Sequence, residues 1–198
     1  MKLGLHLGKG RILPLLFPLQ LISLLASAQI RYTGAGADLV ISGTSTLHNW
    51  IMKSARADCT ATIESNTSGE IKGLSALSFS TPATSLKSDH TSMDKNAYKA
   101  LKTDKDPTIS FTMTAVSVAP ATAGSTVNVK GKLTIAGATR DEDLVAVCKT
   151  NADNSITVTG TKKISMNDYQ IKPPTFGFGT IKTGNDIVLT FHLTLKKG

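Results

Sequence analysis

The stretch I-V-L-T-F-H-L-T-L-K, residues 187–196, alternates between two kinds of side chain along its whole length. One face carries only large apolar groups: Ile187, Leu189, Phe191, Leu193 and Leu195. The other face carries valine, threonine, histidine and lysine. Successive side chains of a β-strand point to opposite faces of its sheet. This period of two therefore predicts a strand with one buried face near the C-terminus.

The same alternation recurs upstream of this strand. It is clear in residues 109–115, 127–135 and 156–159, and weaker in residues 39–43, 51–63, 71–81 and 144–150. Short polar or glycine-containing segments separate these runs, which is typical of turns in a sandwich or a barrel. The pattern predicts an all-β domain of about eight strands, and a barrel of that size can enclose one small ligand.

Residues 88–104 interrupt the alternation. Met93, Ala97, Ala100 and Leu101 recur at helical spacing, which predicts one short amphipathic helix. Ser88 or Asp89 is the expected N-cap. Residues 166–179 are rich in proline and glycine and are predicted to be irregular, because proline donates no ladder hydrogen bond.

The first 28 residues have the layout of a secretory signal peptide. Lys2, Lys9 and Arg11 precede an apolar run over residues 12–25, and Ala26-Ser27-Ala28 is a small-residue cleavage signal. We expect cleavage after Ala28, which leaves residues 29–198 as one mature domain in the periplasm. An uncleaved N-terminal anchor is the alternative, although the run is shorter than the roughly 20 residues that span a bilayer.

Charge and motifs argue against several functional classes. The formal net charge is +8, of which three charges lie in the leader, so residues 29–198 carry 8 − 3 = +5. Their lysines are scattered singly, whereas nucleic-acid binders concentrate them. The chain has no G-x-S-x-G elbow, phosphate-binding loop or paired metal-ligand motif. We therefore predict no enzymatic activity, no cofactor, no metal site and no nucleic-acid partner.

Two cysteines remain in the mature chain. Cys59 and Cys148 both lie in predicted strands. An exported protein can keep a disulfide, but buried thiols also pack as small hydrophobic groups. The sequence leaves both states open, and it also leaves open whether the protein forms a homodimer.

Four segments in order along the chain resemble the YceI-like family. They are T-S-T-L-H-N-W (residues 44–50), the predicted helix followed by D-P-T-I-S-F (residues 106–111), G-K-L-T-I-A-G-A-T-R (residues 131–140), and I-S-M-N-D-Y (residues 164–169) followed by Pro173, Pro174 and Gly179. The resemblance extends over nearly all of residues 29–198. It implies a lipocalin-like antiparallel barrel with an apolar channel, and a long isoprenoid, quinone-like or other amphiphilic ligand.

The inward faces of the clearest strands supply the candidate ligand contacts, and two phenylalanines of the irregular segment are candidates to close one end. These residues are Ile109, Phe111, Met113, Leu133, Ile135, Phe176, Phe178, Ile187, Leu189, Phe191 and Leu193. Candidates for a polar head group at the mouth are His48, His90 and Arg140, and Trp50 is expected to be a core anchor. Two functions follow as hypotheses: a periplasmic lipid carrier, or a stress-response or scaffold protein with a filled barrel that acts through its surface.

Overall fold

The computed structural model describes residues 28–122 and 124–198 of the chain. The predicted signal peptide therefore lies outside the described residues, apart from Ala28. The described part is mostly strand, with one α-helix and two short 3-10 turns. The strands are β1 Ala28–Ala35, β2 Asp38–Ser45, β3 Trp50–Ser54, β4 Asp58–Ser65, β5 Ile71–Pro82, β6 Thr108–Ala121, β7 Gly124–Ile135, β8 Ala138–Thr150, β9 Ile156–Ser165, β10 Thr175–Phe176 and β11 Ile181–Lys197. The helix is α1 Thr91–Ala100, and the 3-10 turns are Ala83–Ser85 and Met166–Tyr169.

Eight antiparallel strands close into a ring, which confirms the predicted all-β barrel. The order around the ring is β1, β4, β5, β6, β7, β8, β9 and β11, and β11 returns to β1 through the pairs Tyr32↔Lys197 and Thr33↔Lys196. The 17-residue length of β11 makes this closure possible. Its last residues pair with β1, whereas its earlier residues pair with β2.

The β2–β3 hairpin extends the wall at one end of the barrel. β3 is joined to the segment after β5 by reciprocal backbone bonds between Lys53 and Lys87, of 2.7 and 2.8 Å. The single strand predicted over residues 51–63 is therefore wrong. The strand is interrupted at residues 55–57, because β3 pairs with β2 whereas β4 pairs with β1.

Neighbouring strands of the ring separate between β8 and β9. β8 pairs with β9 only from Ala146↔Gly160 to Thr150↔Ile156. Beyond that point a side chain bridges the two strands: the Lys162 amino group donates to the Asp143 carbonyl at 3.0 Å and pairs with the Glu142 carboxylate at 2.6 Å.

The helix forms where it was predicted, but it begins at a different residue. α1 begins after His90, whose side chain makes no capping bond. The predicted cap at Ser88 or Asp89 is wrong, because the N-cap position is His90. Ser88 instead binds a side chain of the first turn. Its backbone N–H and its hydroxyl both donate to the Asp94 carboxylate, each at 2.7 Å. Asp94 is buried, and this bond holds the segment before the helix against its first turn.

The barrel is solid at one end and hollow at the other. The solid half is filled by buried side chains from all round the ring, among them Tyr32, Ala61, Ile63, Val127, Ile156 and Leu195. At this end the Thr150 hydroxyl donates to the Gly69 carbonyl at 2.9 Å and ties two turns together. The helix and the longer connections lie at the other end, where the interior is not filled.

Candidate ligand-binding cavity

A cavity of about 270 Å³ occupies the hollow half of the barrel. It opens between three segments that we call the mouth: residues 45–49, residues 88–93 and residues 172–183. Five lining residues are Ser, Thr or His, and most of the others are aliphatic or methionine. The lining comprises Leu39, Ile41, Ser45, Leu47, His48, Trp50, Met52, Leu86, His90, Ser92, Met93, Ala97, Ala100, Leu101, Ile109, Ile135, Ile164, Met166, Tyr169, Ile171, Pro174, Phe176, Ile181, Thr183, Ile187 and Leu189.

One face of α1 closes the side of the cavity. Met93, Ala97, Ala100 and Leu101, the residues with helical spacing in the sequence, all line it. Residues three and four apart share one face of a helix, so this stripe turns towards the interior as a unit. Tyr98 lies elsewhere on the helix, and its hydroxyl donates to the carbonyls of Thr84 and Leu86 at 2.9 and 2.8 Å. These bonds attach the helix to the segment that follows β5.

The cavity ends at a layer of side chains that we call the floor: Phe111, Leu133, Phe191 and Leu193. On each strand that supplies them, the neighbouring inward residue towards the mouth lines the cavity, namely Ile109, Ile135 and Leu189. The floor residues themselves do not line it; Phe111, Leu133 and Leu193 are buried and Phe191 is half-buried.

Two of the floor residues pack against glycines. A side chain at Gly131 would collide with the ring of Phe111, and one at Gly160 would collide with the ring of Phe191. Each phenyl ring therefore lies across a position of the neighbouring strand that has no side chain. Both rings therefore pack against the neighbouring strand in the layer below the cavity.

Five of the eleven candidate contacts line the cavity: Ile109, Ile135, Phe176, Ile187 and Leu189. Phe111, Leu133, Phe191 and Leu193 form the floor, and Met113 follows Phe111 on β6 as the next inward residue. Phe178 lies outside the cavity at the tip of a turn and is fully exposed. The alternation of the strands identified the correct face but not the depth along the barrel axis.

Several lining residues were not among the candidates. They come mainly from α1, β2, β3, the 3-10 turn Met166–Tyr169 and the segment after it, where alternation is short or absent. Trp50 was expected in the core, but it is half-buried and lines the mouth. Its ring lies across Gly43 on β2, and its indole N–H donates to the Thr44 carbonyl at 3.0 Å. The glycine directly opposite it explains why the ring lies flat along the wall.

Polar groups of the cavity are concentrated at the mouth. His48 and His90 both line it and are exposed, together with Ser92. The Nδ1–H of His48 donates to the Asn49 carbonyl at 2.7 Å, which leaves Nε2 of the neutral ring as a hydrogen-bond acceptor. Arg140 is not part of the lining; its side chain donates to the carbonyl of Thr139 at 3.1 Å.

A partly buried polar network lies in the wall beside the cavity. The Tyr169 hydroxyl donates to Glu142 at 2.8 Å, and the other Glu142 oxygen pairs with Lys162 at 2.6 Å. Burial, and next the Glu142 carboxylate, raise the pKa of Tyr169 well above its usual value. The Tyr169 hydroxyl is thus held by Glu142, and its ring contributes to the cavity lining.

Both cysteines are free thiols buried in the solid half of the barrel. Cys59 lies on β4 and Cys148 on β8, on opposite sides of the ring. Burial raises the pKa of each thiol to about 11, and Cys59 adds a smaller electrostatic contribution at Cys148. The structure therefore has the two residues as packed thiols and not as a disulfide.

Within the described residues, no group of three or more His, Cys, Asp or Glu side chains is arranged to hold a metal ion. Over residues 28–122 and 124–198, no helix is long and apolar enough to cross a membrane.

Solved structures of similar fold come from several bacteria. BcnA from Burkholderia cenocepacia has a TM-score of 0.64 at 15% identity, with 80% of this chain and 95% of that chain covered. A polyisoprenoid binding domain from Saccharophagus degradans, implicated in plant cell wall breakdown, has a TM-score of 0.62 at 13% identity, with 86% and 100% covered. The Campylobacter jejuni YCEI protein has a TM-score of 0.53 at 22% identity, with 71% and 82% covered. At such identities the similarity establishes the fold alone.

The sequence itself establishes the family. No curated protein matches the chain. The family model of the YceI-like domain, however, matches residues 39–195, which span the barrel from β2 to the end of the inward face of β11. The chain therefore belongs to the YceI-like family.

Proposed function

We propose that the protein is a periplasmic carrier or sequestering protein that holds the apolar chain of an amphiphilic lipid in its cavity. The ligand class is a polyisoprenoid, a quinone or a similar molecule with one small polar end. The observation that carries the proposal is the apolar hollow of about 270 Å³ with its polar groups concentrated at one open end. The role is non-catalytic.

The energetics favour a chain-like ligand. Burial contributes about 0.8 kcal/mol per CH₂ group, so roughly ten carbons contribute about 8 kcal/mol before association and ordering costs are subtracted. Ligand pockets usually enclose about 300–1,000 Å³, and this cavity of about 270 Å³ lies just below that range. It therefore suits one segment of a long chain, with the remainder at or beyond the mouth.

The mouth suits a neutral head group with a hydroxyl. With Nδ1 of His48 donating to a carbonyl, Nε2 can accept a hydrogen bond from an alcohol or a phenol. Ser92 and His90 add further polar atoms at the same opening. The relatives support the same class, since the Saccharophagus degradans structure is described as a polyisoprenoid binding domain.

The periplasmic location rests on the leader sequence. Cleavage after Ala28 leaves residues 29–35 of β1 to pair with β4, so the ring remains closed. N-terminal sequencing of protein recovered from the periplasmic fraction tests this part. A chain that begins at Met1 or remains in the membrane fraction would contradict it.

The ligand-binding part is tested with two tryptophan substitutions on adjacent residues of β11. Leu189 lines the cavity, whereas Val188 points outwards and is 37% exposed. Leu189→Trp places an indole in the hollow, and Val188→Trp places it in solvent. We expect native mass spectrometry to show a lipid-sized adduct on the wild type and on Val188→Trp, and little or none on Leu189→Trp.

A titration with farnesol, a prenyl alcohol, provides the second measurement. Trp50 is the one tryptophan of the chain and lines the mouth, so its fluorescence reports occupancy in the wild type. Saturable quenching that Ile187→Phe weakens supports the proposal. The absence of both an adduct and saturable quenching would instead favour the alternative, a stress-response or scaffold protein that acts through its surface.

A further inference from the structure

The hairpin of β10 and β11 ends in a turn whose outermost residue is a fully exposed phenylalanine. Phe178 has a relative exposure of 111% and a φ of 55°. Gly177 and Gly179 on either side also have positive φ, 55° and 90°. A bulky residue with positive φ is uncommon because its Cβ crowds the backbone. The turn is closed by the bond from the Gly179 N–H to the Phe176 carbonyl at 3.1 Å. None of the described residues buries this side chain.

A second exposed apolar side chain lies on the adjoining loop. The backbone N–H of Thr46 donates to the Lys182 carbonyl at 3.0 Å, and the Lys182 N–H donates to the Thr46 hydroxyl at 3.1 Å. These bonds tie the loop to the hairpin that carries Phe178. Leu47, the next residue in that loop, is 66% exposed. Ile51, near the start of β3, is 52% exposed.

The two segments that carry these apolar residues have charges of one sign. Residues 39–57 and 171–183 contain no aspartate or glutamate. Lys172 and Lys182 are both exposed, and neither forms a salt bridge among the described residues. Exposed apolar tips beside unpaired lysines are the combination that binds a bilayer with anionic lipids, where apolar groups enter the head-group boundary and lysines contact phosphates.

We infer that Leu47, Ile51 and Phe178, with Lys172 and Lys182, form a docking surface for an anionic lipid bilayer. These residues lie on or beside two of the three segments of the mouth, so docking brings the opening of the cavity to the membrane. A lipid chain can then pass between bilayer and barrel without crossing water, which avoids exposure of its apolar surface. The inference rests on the proposed function and names the source of the ligand.

The test uses the mature protein and vesicles of phosphatidylglycerol mixed with phosphatidylcholine, with pure phosphatidylcholine vesicles as the comparison. The key variant is the double substitution Ile51→Ser with Phe178→Ser, because neither residue lines the cavity. The matched control is Val145→Ser with Val147→Ser, which removes two exposed apolar side chains from the outer wall of β8. Co-sedimentation measures the partition coefficient of each protein.

We expect the wild type and the β8 control to bind the anionic vesicles equally. The mouth variant should bind about tenfold more weakly or worse, from the apolar area it no longer buries. Lys172→Gln with Lys182→Gln should weaken binding about fivefold per lysine, and the loss should disappear at high salt. Farnesol binding in solution, read from Trp50 fluorescence, should be the same for the mouth variant and the wild type.

Two results would overturn the inference. One is an absence of wild-type binding to anionic vesicles, and the other is equal binding by the mouth variant and the β8 control. Neither result touches the proposed function, which the farnesol titration measures separately. Loss of farnesol binding in every protein, with vesicle binding intact, would contradict the proposed function and leave the docking surface standing.

Discussion

The ring of Phe191 lies across Gly160 on the neighbouring strand, and the two residues are direct partners in the β9–β11 register. A Cβ at residue 160 would collide with that ring and would also lie 2.6 Å from the carbonyl oxygen of Val145. The absence of a side chain at Gly160 thus leaves room for the Phe191 ring against the neighbouring strand. This pair sets the depth at which the cavity ends.

Gly160→Ala should therefore destabilise the protein. Overpacking of a filled interior costs about 1–3 kcal/mol, and here one of the two colliding groups is backbone that moves little. Urea unfolding measures the loss. The control is Thr161→Ala, the next and exposed residue of β9, which should change stability by less than about 0.5 kcal/mol. Equal midpoints for the two variants would show that Gly160 is not a packing requirement.

Phe191→Ala should deepen the cavity. Removal of the ring opens the floor towards the solid half, at a stability cost of about 3–5 kcal/mol. The variant should shift its preference towards longer prenyl alcohols in a native mass spectrometry competition. Leu195→Ala is the control, because it removes a core side chain near the far end without touching the floor. A preference unchanged in Phe191→Ala would mean that the floor does not determine ligand length.

Alkaline pH should destabilise the reduced protein through its two thiols. The folded pKa of Cys59 and of Cys148 is about 11, against an ordinary value of 9.0. The unfolded chain therefore loses these protons at a lower pH than the folded protein does. The contribution of the two thiols to the free energy of unfolding is complete below pH 9 and is lost as the pH rises through 11. Its full size is about 2–3 kcal/mol per thiol.

The measurement is urea unfolding in reductant at pH 8 and at pH 10.5. Replacement of both cysteines with alanine should lower stability at pH 8. It should also reduce the difference in stability between pH 8 and pH 10.5. If the double variant keeps the pH dependence of the wild type, the loss of stability at alkaline pH arises from other groups.

Asp94 should control how firmly the helix closes the mouth. Burial opposes its ionisation, but the two bonds from Ser88 and the nearby Lys87 outweigh this, so the pKa of Asp94 is lowered. Asp94→Ala removes both bonds and should cost about 1–2 kcal/mol. Because α1 lines the cavity, the dissociation rate of farnesol should rise in stopped-flow measurements of Trp50 fluorescence.

The same residue should respond to acid. Since the folded pKa of Asp94 is lowered, its contribution is present above about pH 4 and is lost as the pH falls below that value. The farnesol dissociation rate of the wild type should therefore rise in this range, and that of Asp94→Asn should change less. Asp104→Asn, an exposed acid after the helix, should behave as the wild type.

The sequence by itself determined the fold class, the family and the faces of the strands. Alternation is a local property: a period of two turns Ile187, Leu189, Phe191 and Leu193 to the same side wherever the strand lies. The helix was equally local, since its stripe of Met93 to Leu101 depends only on spacing. The start of the helix was not a local property, because Ser88 bonds to Asp94 only when the connecting segment folds over the first turn.

Only the tertiary structure decided where the interior is empty. Leu189 and Phe191 are equivalent in the pattern, yet one lines the cavity and the other forms its floor. The difference arises because Gly160 and Gly131, on other strands, leave room for the rings of Phe191 and Phe111 to pack against those strands below the cavity. Trp50 lines the mouth for the same reason, since Gly43 opposite it has no side chain. Which side chains meet across a closed sheet depends on register and depth, and alternation along one strand contains neither.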